Sequence, residues 1–256
     1  MQEENGFLYA ATPVALTKID ISTGLSTGSV DILDIYGGAS TVSDGILIAG
    51  DIFLTTLGQI IVINATTLNS SGIIPIFEPI TNPSIAGLGN RLFVSSPDTG
   101  YLEVIDRTNG QSLFVSNDQE IRFRRMVVEQ GGSNDEFRIF GANQTGSFLL
   151  VLDVNLTDLQ NVGLNFLRPD QQGGTNPGGP LVNIAVSLDT IAVTEPEIIR
   201  LYNKNTFVNY SNTALPGGSI SGLALTNTSW FIYSTTGFIA RVNYTIDQPF
   251  LFADIV

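Results

Sequence analysis

Apolar runs of four to six residues alternate along this chain with clusters of Gly, Asn, Asp, Ser and Pro, the pattern of short strands punctuated by turns. The stretch from Arg91 to Gly110 shows the unit plainly. Leu92 to Ser95 is one apolar run, Pro97 to Gly100 carries turn chemistry, Leu102 to Ile105 is a second run, and Asp106 opens a turn closed by Asn109-Gly110. A hairpin this small is not stable alone, so it must be one piece of a larger sheet system.

The unit recurs. Aligning on the end of the second run gives Leu16-Thr-Lys-Ile-Asp20, Ile60-Ile-Val-Ile-Asn64, Leu102-Glu-Val-Ile-Asp106, Leu149-Leu-Val-Leu-Asp153, Ile199-Arg-Leu-Tyr-Asn203 and Ile239-Ala-Arg-Val-Asn243. The period is about 45 residues. The closing Asp or Asn has a local reason, since its side chain can accept hydrogen bonds from backbone amides two and three residues on. An apolar run precedes each match (Phe7 to Ala11, Ile52 to Thr56, Leu92 to Ser95, Phe137 to Gly141, Thr190 to Thr194, Trp230 to Ser234). An outer strand is expected after each: Leu25 to Ile32, Ile73 to Phe77, Gln111 to Val115, Leu159 to Phe166, Phe207 to Tyr210 and Phe250 to Ile255. Small-residue apolar strands lead the later repeats, at Ile46 to Ala49, Ser84 to Leu88, Phe123 to Val128, Leu181 to Val186 and Ser219 to Leu225.

Four strands per repeat with a small-residue first strand predict an all-β, six-bladed β-propeller of four-stranded antiparallel blades, a single domain over residues 1–256. Seven blades, the alternative, would need a hidden repeat. The first blade is expected to be incomplete, because Asn5-Gly6 is a hairpin turn that leaves at most Met1 to Glu4 for a first strand. No segment holds helical periodicity over three turns.

Leu92-Phe-Val-Ser followed by Leu102-Glu-Val-Ile-Asp-Arg-Thr-Asn-Gly110 resembles the repeat of the YVTN-type surface-layer β-propellers. Leu8-Tyr-Ala-Ala with Lys18-Ile-Asp-Ile-Ser-Thr-Gly24 is similar to it too, while the second, fourth, fifth and sixth repeats lack the closing Gly. The resemblance implies a propeller displayed on an archaeal or bacterial surface and brings no catalytic residue with it.

Composition narrows the function. Net charge is −13 at pH 7 and Lys18 and Lys204 are the only lysines, so the basic face that nucleic acid requires is missing. There is no cysteine, hence no disulfide or thiolate metal site, and no histidine, the usual general base and commonest metal ligand. No apolar run is long enough for a membrane-spanning helix. No secretion signal is recognisable, and Met1-Gln2-Glu3-Glu4 fits a mature N-terminus behind an added start methionine; the low Lys and abundant Ser, Thr, Asn and Gly fit an exported protein.

Four groups of residues are candidates for chemistry. Asn-x-Ser/Thr sequons stand at Asn64, Asn69, Asn143, Asn155, Asn209, Asn227 and Asn243, as glycan acceptors or, at Asn64 and Asn243, as the repeat's own turn signature. Asn69, Asn143, Asn209 and Asn227 fall in expected turns and are the better acceptors. Arg122, Arg124 and Arg125, with Arg168 and Asn183, can meet an anionic ligand at a channel mouth; equally they can neutralise Asp118, Glu120 and Glu129. Arg168 to Pro180 is a long loop that connects blades or makes contacts, and is not a phosphate loop. Asp44, Asn82 and Asn183 lie near the positions of a channel calcium, which would make a lactonase-like hydrolase the alternative function. The leading expectation is a non-enzymatic extracellular module without a resident cofactor, part of a surface, filament or virion, that binds protein or glycan and self-assembles as a homo-oligomer or filament.

Overall fold

A computed structural model describes residues 2–36, 42–119, 121–143, 149–157, 165–167, 181, 183–195, 198–214, 220–225, 229–234, 239–243 and 251–255. The residues group into two compact units, Met1–Ile121 and Arg122–Val256.

The first unit holds three four-stranded antiparallel sheets, each made of four strands consecutive in the chain. Sheet 1 is β1 (Gln2–Glu4), β2 (Phe7–Ala11), β3 (Ala15–Asp20) and β4 (Ser26–Asp31). Sheet 2 is β5 (Asp44–Ile48), β6 (Asp51–Thr56), β7 (Gln59–Asn64) and β8 (Ser70–Pro75). Sheet 3 is β9 (Ser84–Leu88), β10 (Arg91–Ser95), β11 (Leu102–Asp106) and β12 (Gln111–Ser116). The innermost strands are neighbours in turn, β1 beside β5 and β5 beside β9, so the sheets stack face to face around their first strands.

Stacking explains why the strands read as continuous apolar runs. Successive side chains of a strand point to opposite faces, and both faces of a middle sheet are covered. In β6, Ile52 and Leu54 join Tyr9 and Leu16 of sheet 1, while Phe53 between them joins Leu92 and Val94 of sheet 3. Burying each of these side chains contributes roughly 1.5–3 kcal/mol. A five-residue helix, Ile32–Tyr36, was not expected; its Ile32 is fully buried in the same core as Tyr9, Leu16 and Ile52.

The second unit repeats the plan. Its sheets are β13 (Phe123–Gln130), β14 (Glu136–Asn143), β15 (Leu149–Asn155) and β16 (Asn165–Leu167); β17 (Asn183–Val186), β18 (Thr190–Thr194), β19 (Ile198–Asn203) and β20 (Asn209–Ala214); and β21 (Ile220–Leu225), β22 (Ser229–Ser234), β23 (Ile239–Asn243) and β24 (Leu251–Ile255). Phe140 and Val151 of one sheet pack on Ile191, Val193, Tyr202 and Phe207 of the next. Of the six blades expected, five are seen with side-chain packing, and β21–β24 are described by backbone pairing alone.

Two expectations are corrected. The fourth repeat turns at Asn155, two residues beyond Asp153: Asn155 faces Glu136 across the hairpin and its Oδ1 accepts from the Thr157 amide, while Asp153 forms a two-point ion pair with Arg138 (2.7 and 2.9 Å). The outer strand expected from Phe207 begins only at Asn209, because Phe207 belongs to the preceding turn. Sheet 1 has the short first strand expected before Asn5-Gly6, three residues long, and is four-stranded with it.

A candidate recognition cleft

Among the described residues five turns follow the third strands and share one construction. Oδ1 of Asp20, Asn64, Asp106, Asn155 and Asn203 accepts from the amide two residues on, at 2.8 to 3.0 Å. The amide just after each anchor donates to the carbonyl preceding the second strand, as Ala65 does to Gly50 and Leu156 to Asp135. In four of them the amide four residues on donates to the anchor's own carbonyl, which drives that residue to positive φ: Gly24 (68°), Leu68 (59°), Gly110 (71°) and Phe207 (56°).

The turn after β7 leans on sheet 1. Tyr9 Oη donates to the Ala65 carbonyl (2.9 Å), and Lys18 Nζ donates to the carbonyls of Ala65 and Thr66 (3.2 and 3.3 Å). The ammonium also sits 4.2 Å from the centroid of the Phe7 ring, a cation–π contact that holds it against the sheet. Gly28 lets the turn come close, since a Cβ there would stand 3.0 Å from Leu68 Cδ1. Between turn and sheet lies a cleft of about 510 Å³, within the range of small-molecule sites. Phe7, Lys18 and Asp20 form its floor, Thr27 to Val30 one wall, and Thr66 to Asn69 the other. Hydrogen bonds from Ser22 and Thr23 lower the Asp20 carboxyl below its ordinary value, so it is ionised at neutral pH.

The other lysine plays a parallel part in the second unit. Lys204, in the turn after β19, donates to both carboxylate oxygens of Glu129 on β13 (2.9 Å each) and to the Ser187 carbonyl (3.0 Å). Glu195 and Arg200 are an ion pair, with Arg200 also donating to Asn212. Tyr202 is buried, which pushes its hydroxyl up to about 12. In the first unit Glu103, 1% exposed, accepts from Tyr101 Oη (2.6 Å) and the Phe77 amide (3.0 Å) through Oε2. Burial first, and the carboxylate second, raise the Tyr101 hydroxyl far above its usual range. Neither tyrosine is poised to lose its proton.

The residues singled out in the sequence are dispersed. Arg122 precedes β13; Arg124 is exposed where the β13–β14 register shifts, and Arg125 is half-buried beside it. Asn183 opens β17, the inner strand next to β13, opposite Thr194. Asp44 accepts from the Gly45 amide through Oδ1 and from Ser84 Oγ and the Ile85 amide through Oδ2, bracing β5 to β9. Asn82 donates to Asp98. Among the described residues no three acidic side chains converge as a metal site. Arg168, Asn227 and the loop to Pro180 lie outside the described residues, as does the side chain of Asn243 in β23.

The sequons separate sharply. Asn143, expected in a turn, ends β14 at 1% exposure. Asn209, also expected in a turn, opens β20 and its Nδ2 donates to the carbonyls of Leu201 and Ser211. Asn155 Nδ2 donates to Glu136. Asn64 accepts three bonds within its own turn. Asn69 is exposed together with Ser70 and Ser71, on the rim of the cleft.

No family model matches the chain, and no curated protein does. Solved structures do. BamB from Moraxella catarrhalis aligns at TM-score 0.59 with 13% identity over 96% of this chain and 70% of its own. A chain of a mitotic checkpoint complex aligns at TM-score 0.65 with 10% identity over 93% and 71%. The Myceliophteria thermophila Cps50 (Swd1) beta-propeller domain aligns at 0.59 with 9% identity over 85% and 74%. The fold is a β-propeller. At such identities the likeness is one of fold, and the cleft is a feature of this chain's own residues. Of the cleft's far wall the sequence singles out Asn69, as a sequon and not as a cleft residue; for Phe7 and Thr66 to Leu68 the available signal was Lys18, one of two lysines, placed on a blade strand. Among the described residues no helix is long and apolar enough to cross a membrane.

Proposed function

We propose that the protein is a non-enzymatic extracellular propeller, a single domain over residues 1–256, acting as a structural or interaction module of a surface, filament or virion and holding a protein or glycan partner. The observation that carries this reading is the division of labour among polar side chains. Lys18, Lys204, Asp44, Glu103, Glu129, Asp153 and Glu195 are each engaged in tying strands, turns or neighbouring sheets together. Acyl, phosphoryl or glycosyl transfer would need such groups positioned around open space. The cleft beside Lys18 instead offers hydroxyls, an amide, apolar side chains and a single carboxylate, Asp20, which is bonded into its own turn.

The resemblance of the repeats to surface-layer propellers supports export, and one structural neighbour is a chain of a mitotic checkpoint complex, which supports a role in interaction. Antibody labelling of intact source cells or virions tests the location: antigen confined to the cytosolic fraction would end this reading. Labelled protein on combined protein and glycan arrays tests the binding role, and an absence of saturable binding counts against it. As an exported protein it takes N-glycan at Asn69, because modification at Asn155 or Asn209 would break native hydrogen bonds. Glycopeptide mass mapping of the secreted protein should find Asn69 occupied and Asn155 and Asn209 bare.

A further inference from the structure

The donors and acceptors in the cleft are unevenly distributed. Lys18 is the cationic group there, and its ammonium is turned onto the Ala65 and Thr66 carbonyls and the Phe7 ring. The hydroxyls of Thr27, Ser29 and Thr67 donate within the protein, to the carbonyls of Lys18 and Leu16 and to Asn64 Oδ1. With their protons so engaged, Thr27 and Ser29 are left to act toward a ligand as acceptors, while Thr67 Oγ1 also takes the Asn69 amide (3.3 Å). Asp20 binds its turn through Oδ1, and among the described residues Oδ2 takes no hydrogen bond. An acceptor-rich cleft with an ionised carboxylate and a cation already engaged disfavours an anion and favours a ligand with many hydroxyl donors. Phe7, Val30 and Leu68 add apolar patches between the polar groups, suited to the C–H faces of a sugar ring.

We propose that this cleft binds a neutral pyranose unit, with Asp20 Oδ2 accepting from its hydroxyls and its C–H face resting on the Phe7–Leu68 side. This deepens the recognition role proposed above and rests on it. The unit can be free or the terminal sugar of a glycan, since the ring and its hydroxyls are the same.

The experiment is saturation-transfer NMR and calorimetry on the full chain produced without glycosylation. The probes are methyl glucoside, mannoside and galactoside, N-acetylglucosamine, their oligosaccharides, and glucuronate as the anionic control. Saturable binding of at least one neutral probe is expected, with glucuronate at least tenfold weaker. The oligosaccharide arm separates a glycan terminus from a free sugar by tighter binding of the longer ligand. Asp20→Asn retains the turn, because Asn64 and Asn203 make the same turn natively, and should weaken binding by about ten- to a hundredfold through loss of a charge-assisted hydrogen bond. Gly28→Val, which crowds the movable end of Leu68, should also reduce binding, with folding checked by circular dichroism. The proposal is overturned if no neutral probe saturates, if glucuronate binds as well, or if both variants bind like the parent. Array binding that survives both variants would remove the saccharide site and leave the broader recognition role standing.

Discussion

The turns after β3 and β11 place Gly24 and Gly110 at positive φ; the turns after β7 and β19 place Leu68 and Phe207 in the same conformation. The hydrogen bonding is common to both kinds, so the anchor Asp or Asn and the bond back to its carbonyl set the backbone whatever the fifth residue is. What differs is the surroundings. A Cβ at Gly24 would meet nothing within 4 Å, and one at Gly110 would reach Ile74 only at 3.5 Å. Phe207, by contrast, is 5% exposed in the core between two sheets, and Leu68 packs against the layer containing Tyr9 and Leu16. Left-handed backbone costs a residue with a Cβ about 1–2 kcal/mol, and burial of a large apolar side chain returns about 1.5–3. A turn keeps glycine where the neighbouring sheet offers no apolar hole, and accepts strain where it does.

The comparison breaks most visibly at Phe207. Phe207→Ala keeps the strained conformation and empties the hole, so a loss of about 3–5 kcal/mol is expected in urea unfolding. Phe207→Gly should recover about 1 kcal/mol of that by relieving φ. A loss below about 1 kcal/mol for the alanine variant would mean that packing does not hold this turn. Next come Gly24→Ala and Gly110→Ala, at about 1–2 kcal/mol each. Gly72→Ala in β8 is the control, with no positive φ and nothing within 4 Å of its added Cβ. Equal effects at Gly24 and Gly72 would remove φ as the cause.

These turns also show where sequence reading succeeds. Asp20, Asn64, Asp106 and Asn203 were legible because an Asx turn is a local affair of three residues. Blade four was misread because Asp153 sits where the apolar run ends, yet Asn155-Leu-Thr157 has the form of Asn64-Ala-Thr66, and β14 and β15 run longer to reach it. Leu68 and Phe207 gave no sign, since nothing in their identity announces positive φ; the sheet packed against them decides it. The cleft was invisible for a related reason. Its floor and far wall are about fifty residues apart in sequence and meet only because sheets 1 and 2 stack.

A smaller effect separates the aspartate from the asparagine turns. Bonds from Ser22 to Asp20, and from Thr108 and then Arg91 to Asp106, lower both carboxyls in the folded state. A depressed folded pKa contributes stability above the unfolded value of about 3.9, and that contribution is lost as pH falls through the lower folded value. The Asn64 and Asn203 turns carry no such dependence. Replacing Asp20 and Asp106 together by Asn should therefore flatten the fall in melting temperature between pH 5 and pH 2 and, at pH 7, remove the stability that the two carboxylates contribute there. An unaltered acid limb would place the titration elsewhere.

The smallest effect is expected at Leu68, where the two opposing terms come nearest to cancelling. Leu68→Gly relieves about 1–2 kcal/mol of left-handed strain. It also removes a side chain that is only partly buried and whose Cδ1 lies against Gly28, so the packing lost is less than the full value for a buried leucine. Glycine adds back a greater entropy in the unfolded chain, roughly 0.5–1 kcal/mol against the folded state. The sum lies within about 1 kcal/mol of zero, far from the loss at Phe207→Ala in the same position of another turn. Paired urea titrations of the two variants read this difference directly. A loss at Leu68→Gly as large as at Phe207→Ala would show that Leu68 is as firmly packed as Phe207, and that the turn on the cleft wall belongs to the core.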